Sequence, residues 1–423
     1  MKFDYDIFIE ILCRLPIETL LRFRCLSKRC CSFIDSPDFI NLHLNRSIKT
    51  STNRSLIIDE IKPEGSIFAV DLDSSDRCPV ELHRPHKPFA ARTVYDYITV
   101  ATAENVYYDI IAKERIFRPR KFSSDVFGSC NGLLAMYNGN GMSLWNPSTK
   151  KHQILPKFWS HDECNVCDRI TVGFGYDSIN NDYKVIMMFQ HKGMSLHYIK
   201  NPKIRVMVYS LKGNSSTRIK DLNDYFLPYN GHSVPVSGSL HWVVSNQEKR
   251  VDNVILAFDL GNEKFCELPK PHSNGYEIYC LRVAELRGSL AISCSCMGTA
   301  VEVWVMKEYG ITESWTKLFR IYYEQLGISD LSTSYLKPLC YSKTGDEVLL
   351  DDQYGVYSVL YDLEQKSAKR VTIFRSPPEP ESEIPVKISA NICVRSLVPV
   401  NFNSGIGGSS SELQSKKRKG KST

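Results

Sequence analysis

Residues 6–44 read DIFIEILCRLPIETLLRFRCLSKRCCSFIDSPDFINLHL, a helical texture that the rest of the chain lacks. Ile7, Ile11, Leu12 and Leu15 fall on one helical face, with Glu10 and Arg14 off it. Proline disfavours helix in the residue before it and suits the first turn of a new one. Pro16 is therefore expected to end the first helix and begin the second. Ile17, Leu20 and Leu21 continue the apolar face, and Glu18 sits where a helix dipole favours an acid. Ser27 is a natural N-cap for a third short helix carrying Phe33 and Ile34. Ser36-Pro37 repeats the signal for a last turn with Phe39, Ile40 and Leu42. Helices this short make a poor independent core, and a partner is expected to complete it.

From Ser55 onward the texture changes to short strands, such as Leu56-Ile57-Ile58 and Ser66–Val70, bounded by Asp, Gly and Pro. A unit recurs: a Gly-bearing turn, an apolar strand, a second strand ending in Asp or Asn, and a closing strand often ended by Leu-Pro. Residues 128–156, 174–219, 238–269, 287–318 and 345–373 fit this frame. With Gly132, Asp182, Gly238, Gly288 and Gly345 as equivalent turn positions, the spacings are 50, 56, 50 and 57 residues. A strand-built period of about 50 residues is that of a kelch-like β-propeller. Counting an earlier unit around Gly65 predicts about six blades. The long interval after Gly65 suggests a loop insertion over Thr93–Arg118, with Tyr95, Tyr97, Tyr107 and Tyr108. Ile392–Val398 is a strand with no unit of its own and is expected to close the ring on the first blade.

The fold class is thus a small all-α module over residues 1–46 and an all-β propeller over 50–400, with a disordered basic tail over 401–423. A polar loop with Pro377, Pro378, Pro380 and Pro385 precedes the closing strand. Hydrophobic residues make up 43% of the chain and charged residues 24%, the ordinary globular balance. No apolar run reaches the roughly 18 residues of a membrane span. Asp4, Asp6 and Glu10 stand where a signal peptide would carry positive charge, so an intracellular protein is expected. Residues 404–423 hold five cations against Glu412, a net +4 of the chain's +6, which leaves no electrostatic case for nucleic acid in the folded part. Lys416-Lys417-Arg418-Lys419 reads equally as a nuclear import signal or a solubilising end.

The first segment resembles the F-box of plants. The matching residues are Asp6, Glu10-Ile11-Leu12, Arg14-Leu15-Pro16, Leu20–Cys25, Ser27-Lys28, Ile34, Pro37, Phe39 and His43-Leu44. Phe3-Asp4 stands where Leu-Pro is usual and Cys30 where tryptophan is usual, a change expected to loosen the third helix. The repeats resemble the plant F-box-associated domain at SCNGLL (129–134), LWNPSTK (144–150) and FGYD…DYKV (174–185), although the double glycine of kelch repeats is missing. The resemblance covers about Asp6 to Pro399. It implies the substrate-recognition subunit of a Skp–cullin–F-box ubiquitin ligase, acting by proximity without a catalytic residue. Ile7, Ile11, Leu12, Leu15, Pro16, Leu20 and Leu21, apolar groups that a small module cannot all bury, are expected to dock the Skp adaptor and through it cullin. The propeller would hold a target protein. The chain is similar to the constitutive-expresser-of-pathogenesis-related-genes group, which removes intracellular immune receptors, and to the S-locus group, which recognises pollen-rejecting ribonucleases. The expected setting is cytoplasm and nucleus.

Other readings stay open. The two departures permit a binding module uncoupled from the ligase, and fold alone permits a propeller enzyme such as a copper oxidase or glycosidase. The sequence has no glycine-rich phosphate loop, no GxSxG and no HExxH. Cys164-Asn-Val-Cys167 with His161 lacks the second ligand pair of a structural zinc site, so no metal or cofactor is expected.

Overall fold

The computed structural model describes residues 5–60, 66–74, 78–83, 93–97, 117–121, 125–137, 141–159, 167–191, 203–228, 232–246, 253–271, 278–296, 299–327, 336–352, 358–372 and 388–401. Phe3-Asp4, Gly65, Tyr107, Tyr108, His161, Cys164, the proline loop and the basic tail lie outside them. Four helices come first: α1 (Tyr5–Leu12), α2 (Ile17–Phe23), α3 (Lys28–Ile34) and α4 (Pro37–Thr50). The Ser27 hydroxyl accepts from the Cys30 N–H and the Ser36 hydroxyl from the Phe39 N–H, the two caps read from sequence. Pro16 sits immediately before α2, but α1 has already ended at Leu12, three residues earlier than expected. The last helix is not a single turn. It runs fourteen residues and stops at Ser51, which has a left-handed backbone.

The strands form a six-blade propeller of antiparallel sheets, together with a separate hairpin pairing Thr93–Tyr97 with Phe117–Lys121. That hairpin begins where the expected insertion does and runs three residues past its expected end, to Lys121. The second blade is typical: Asp125–Cys130, Leu133–Tyr137, Met142–Asn146 and Lys151–Ile154, from the inside of the ring outward. The innermost strand of the fourth blade is broken into Tyr225–Phe226 and Val234–Val236, both paired with Ser239–Asn246.

The first blade takes its innermost strand from the far end of the chain. Ile388–Val394 pairs antiparallel with Arg54–Glu60, from Arg54↔Val394 to Glu60↔Ile388. Ring closure on the first blade is therefore as expected, with the strand four residues earlier, because residues 395–400 leave the sheet. Gly65 consequently falls between the second and third strands of its blade (Arg54–Glu60 and Ile67–Asp71) and is not equivalent to Gly132.

The other turn glycines behave as a set. Asn131-Gly132, Ser237-Gly238 and Arg287-Gly288 all have positive φ at both positions, between 50° and 84°. They join strands paired at Cys130↔Leu133, Val236↔Ser239 and Leu286↔Ser289. These are two-residue type I′ hairpins, whose twist matches that of the strands. The Asp or Asn ending the third strand of a blade also has a cause. Oδ1 of Asn146 accepts from the N–H of Ser148 and Thr149, and Oδ1 of Asp259 from Gly261 and Asn262. Asp362 does the same for Glu364 and Gln365. Each such turn closes through a left-handed residue: Lys150, Glu263 or Lys366.

Each seam between neighbouring blades is an apolar core. Leu56, Ile58 and Val70 meet Leu339 and Leu349 where the sixth blade joins the first. Ile57 and Ile67, on the opposite face of the first blade, meet Val126, Leu134 and Trp145 of the second. Strands buried on both faces read as continuous apolar runs, as in Leu133–Met136, where every residue is buried. Between the third and fourth blades a buried cation adds to the apolar seam. Lys184 Nζ reaches Asp177 Oδ2 at 3.0 Å, Glu263 Oε1 at 2.9 Å and the Leu260 carbonyl at 2.6 Å.

Three outcomes are expected in denaturant unfolding. Gly238→Ala costs only the left-handed backbone penalty, about 1–2 kcal/mol, since no atom stands within 4 Å of the added Cβ. Gly132→Ala costs clearly more, because its Cβ would lie 2.5 Å from the Val394 carbonyl oxygen and so strain the closing strand. Lys184→Met is expected to cost about 3–5 kcal/mol by leaving the buried Asp177 carboxylate without its cation.

Candidate functional site: an adaptor-docking face on the helical module

The helices enclose a small core of Leu12, Cys13, Ile17, Leu20, Ile34 and Phe39, to which a residue from the other end of the chain, Leu397, is added. Leu12 and Leu20, expected on the docking face, are 2% and 0% exposed and hold the module together instead. The phase of α1 explains this correction. Phe8 and Leu12, four residues apart, face inward, whereas Ile7 and Ile11 share the outer stripe at 55% and 47% exposure. Pro16 is exposed, and Leu15 and Leu21 are half-buried. Five of the seven expected residues, Ile7, Ile11, Leu15, Pro16 and Leu21, therefore remain accessible to a partner.

The Leu15-Pro16 corner is fixed from behind. Nε2 of the buried His43 lies 2.9 Å from the Leu15 carbonyl, so that nitrogen carries the proton and donates. Glu10 Oε1 joins α1 to α4 through Arg46 at 2.9 Å and pairs with Arg14, just past the end of α1, at 2.6 Å. Hydrogen bonds from Arg14 hold the Glu10 carboxyl below its usual range. Phe33 contacts Phe39 at 4.9 Å and Phe8 at 6.3 Å between ring centroids, tying α3 to α4 and α1. Cys30 is half-buried in the first turn of α3, which is capped by Ser27.

The module is seated on the propeller. Leu44 enters the core between the second and third blades beside Leu133, Phe174 and Val398, with Ile40 packed against it. The seat lies at the end of the ring where the tight first-to-second-strand turns cluster. Among the described residues, no group of three or more metal-ligating side chains is placed to hold an ion. No described helix is long and apolar enough to cross a membrane.

The motif-bearing regions match two protein-family models, an F-box domain over residues 2–42 and an F-box associated beta propeller domain over residues 97–398. The chain belongs to the F-box proteins with an F-box-associated β-propeller. Its relatives include the Arabidopsis thaliana F-box protein CPR1, 32% identical over 93% of this chain and 88% of that protein. F-box protein At4g22390 of the same plant is 28% identical over 93% of this chain and 89% of its own length. The F-box/kelch-repeat protein At3g23880, also from Arabidopsis thaliana, is 29% identical over 82% and 84%. In this family the F-box implies a Skp-type adaptor as partner, and the usual role is that of a non-catalytic substrate adaptor.

Two buried histidines give the fold a pH dependence. Burial pushes His43 below the usual histidine range, against the pull of the Leu15 carbonyl. It pushes His241 down to about 4. His241 bridges blades, with Nδ1 3.0 Å from the Val234 carbonyl and Nε2 2.7 Å from the Tyr309 hydroxyl. Both rings bind a proton less readily in the fold than near 6.5 once unfolded, and His241 stays neutral down to about 4. Stability is therefore complete above the unfolded value and falls below it, for His241 by up to ~1.4 kcal/mol per pH unit. Denaturation midpoints measured from pH 7.5 to 5 are expected to fall, with a shallower slope in His241→Gln.

Proposed function

We propose that the chain is the substrate receptor of a Skp–cullin–F-box ubiquitin ligase, docking the adaptor through Ile7, Ile11, Leu15, Pro16 and Leu21 and holding a target protein on the propeller for ubiquitination and degradation. The observation that carries this reading is the solvent-facing Ile7–Ile11 stripe beside a Leu15-Pro16 corner pinned by His43. Apolar groups held rigidly in water are what an interface core requires. The chain contributes proximity: it raises the local concentration of target lysines at the ligase's ubiquitin donor and supplies no nucleophile. Intracellular immune receptors are the target class favoured by the likeness to the constitutive-expresser group, which makes restraint of plant defence the biological role, in cytoplasm and nucleus.

The test is co-purification of a Skp adaptor with the full chain. Ile11→Asp is expected to weaken adaptor binding at least about tenfold, ~1.4 kcal/mol, while leaving the thermal transition in place. Leu12→Asp, by contrast, should unfold the helical module. Undiminished binding by Ile11→Asp, or by a chain lacking residues 1–46, would sink the assignment.

A further inference from the structure

We propose that Arg395–Val400 is a fifth element of the adaptor-docking module, so that adaptor binding and closure of the propeller ring are one coupled equilibrium. The inference rests on the adaptor-docking reading above and assigns a positioning role to residues far outside the matched F-box segment 2–42. Three sets of contacts carry it. Toward the first blade, the Arg395 N–H donates to the Asn53 carbonyl at 2.6 Å, and its guanidinium lies 3.0 Å from Asp71 and 3.6 Å from Asp73. Toward the second blade, Asn146 Nδ2 donates to the carbonyls of Ser396 at 3.0 Å and Val398 at 2.8 Å. The Ser396 hydroxyl donates to the Asn131 carbonyl at 2.7 Å. Toward the helices, Arg395 reaches Glu18 of α2 at 3.3 Å, and Leu397, 8% exposed, completes the core around Ile17 and Leu20.

The same short segment thus directly follows the ring-closing strand and fills the floor of α2. Opening the ring withdraws Leu397 and leaves a cavity under the helix that follows the Leu15-Pro16 corner and carries Leu21. Buried leucine voids of this kind are costly because the surroundings relax only in part. A module seated in only a fraction of molecules binds its adaptor with affinity reduced by that fraction. Linkage is reciprocal: an adaptor that prefers the seated module must tighten the closed ring, and a target that bridges blades must favour the adaptor.

The full chain and a recombinant Skp adaptor decide the matter by calorimetry and amide hydrogen exchange. Saturating adaptor should slow exchange in the paired strands Ile388–Val394 and Arg54–Glu60, while the strands of the fourth and fifth blades stay unchanged. Leu397→Ala should weaken adaptor binding about tenfold with protection in those two blades intact, and Leu397→Met should restore it. Exchange in the closing strands that ignores the adaptor overturns the coupling, even if Leu397→Ala fails to fold. So does wild-type affinity in a folded Leu397→Ala. Absence of adaptor binding by the wild-type chain overturns the docking reading itself.

Discussion

The antiparallel pairing of Ile388–Val394 with Arg54–Glu60 is the constraint on which the remaining architecture hangs. It joins segments from the two ends of the folded chain, so its formation bears a large loop-closure cost before any of its own contacts offset it. The return is distributed around the ring. With the strand in place, both faces of the first blade are covered, one by Val126, Leu134 and Trp145 and the other by Leu339 and Leu349. Without it, two apolar blade faces and an unpaired strand edge meet water, a condition that propellers avoid by closing.

The sequence features that mark the family have physical occupations in this light. The Asn131-Gly132 pair supplies a left-handed turn and, lacking a side chain at Gly132, admits the Val394 carbonyl and Ser396. Asn146 caps its own turn with Oδ1 and holds the C-terminal segment with Nδ2. Lys184, paired with Asp177 on its own blade, locks that blade to Glu263 and the Leu260 carbonyl of the next. Much of the motif conspicuousness therefore comes from joints between parts, where one side chain serves two partners and few substitutes can do both.

Local chemistry was the part most legible from residues alone. Ser27 and Ser36 capped where a short polar side chain precedes a helix, and Ser237-Gly238 and Arg287-Gly288 turned where glycine tolerates positive φ. Less legible was anything set by distant packing. In α1 the run Ile7, Phe8, Ile9, Ile11, Leu12 is apolar on most sides, so periodicity alone could not decide whether Leu12 or Ile11 faced outward. Burial against Ile34, Phe39 and Leu397 decided it. The count that included the unit around Gly65 gave the right number of blades, although a blade whose first strand arrives last begins, in the sequence, with its second. The split inner strand of the fourth blade carried no signal either, since Tyr225–Phe226 and Val234–Val236 are each too short to show a period.

The two ends of the ring are built under different rules. At the helical end, hairpins of two residues and capped Asx turns set the strand geometry, so that Asn131, Gly132, Asn146 and Asp259 are each tied to a particular backbone shape. The connections joining second to third strands and blade to blade leave from the other end. Changes at that end would leave ring closure and the helical seat in place, because Asn146, Ser396 and Leu44 make their contacts at the helical end.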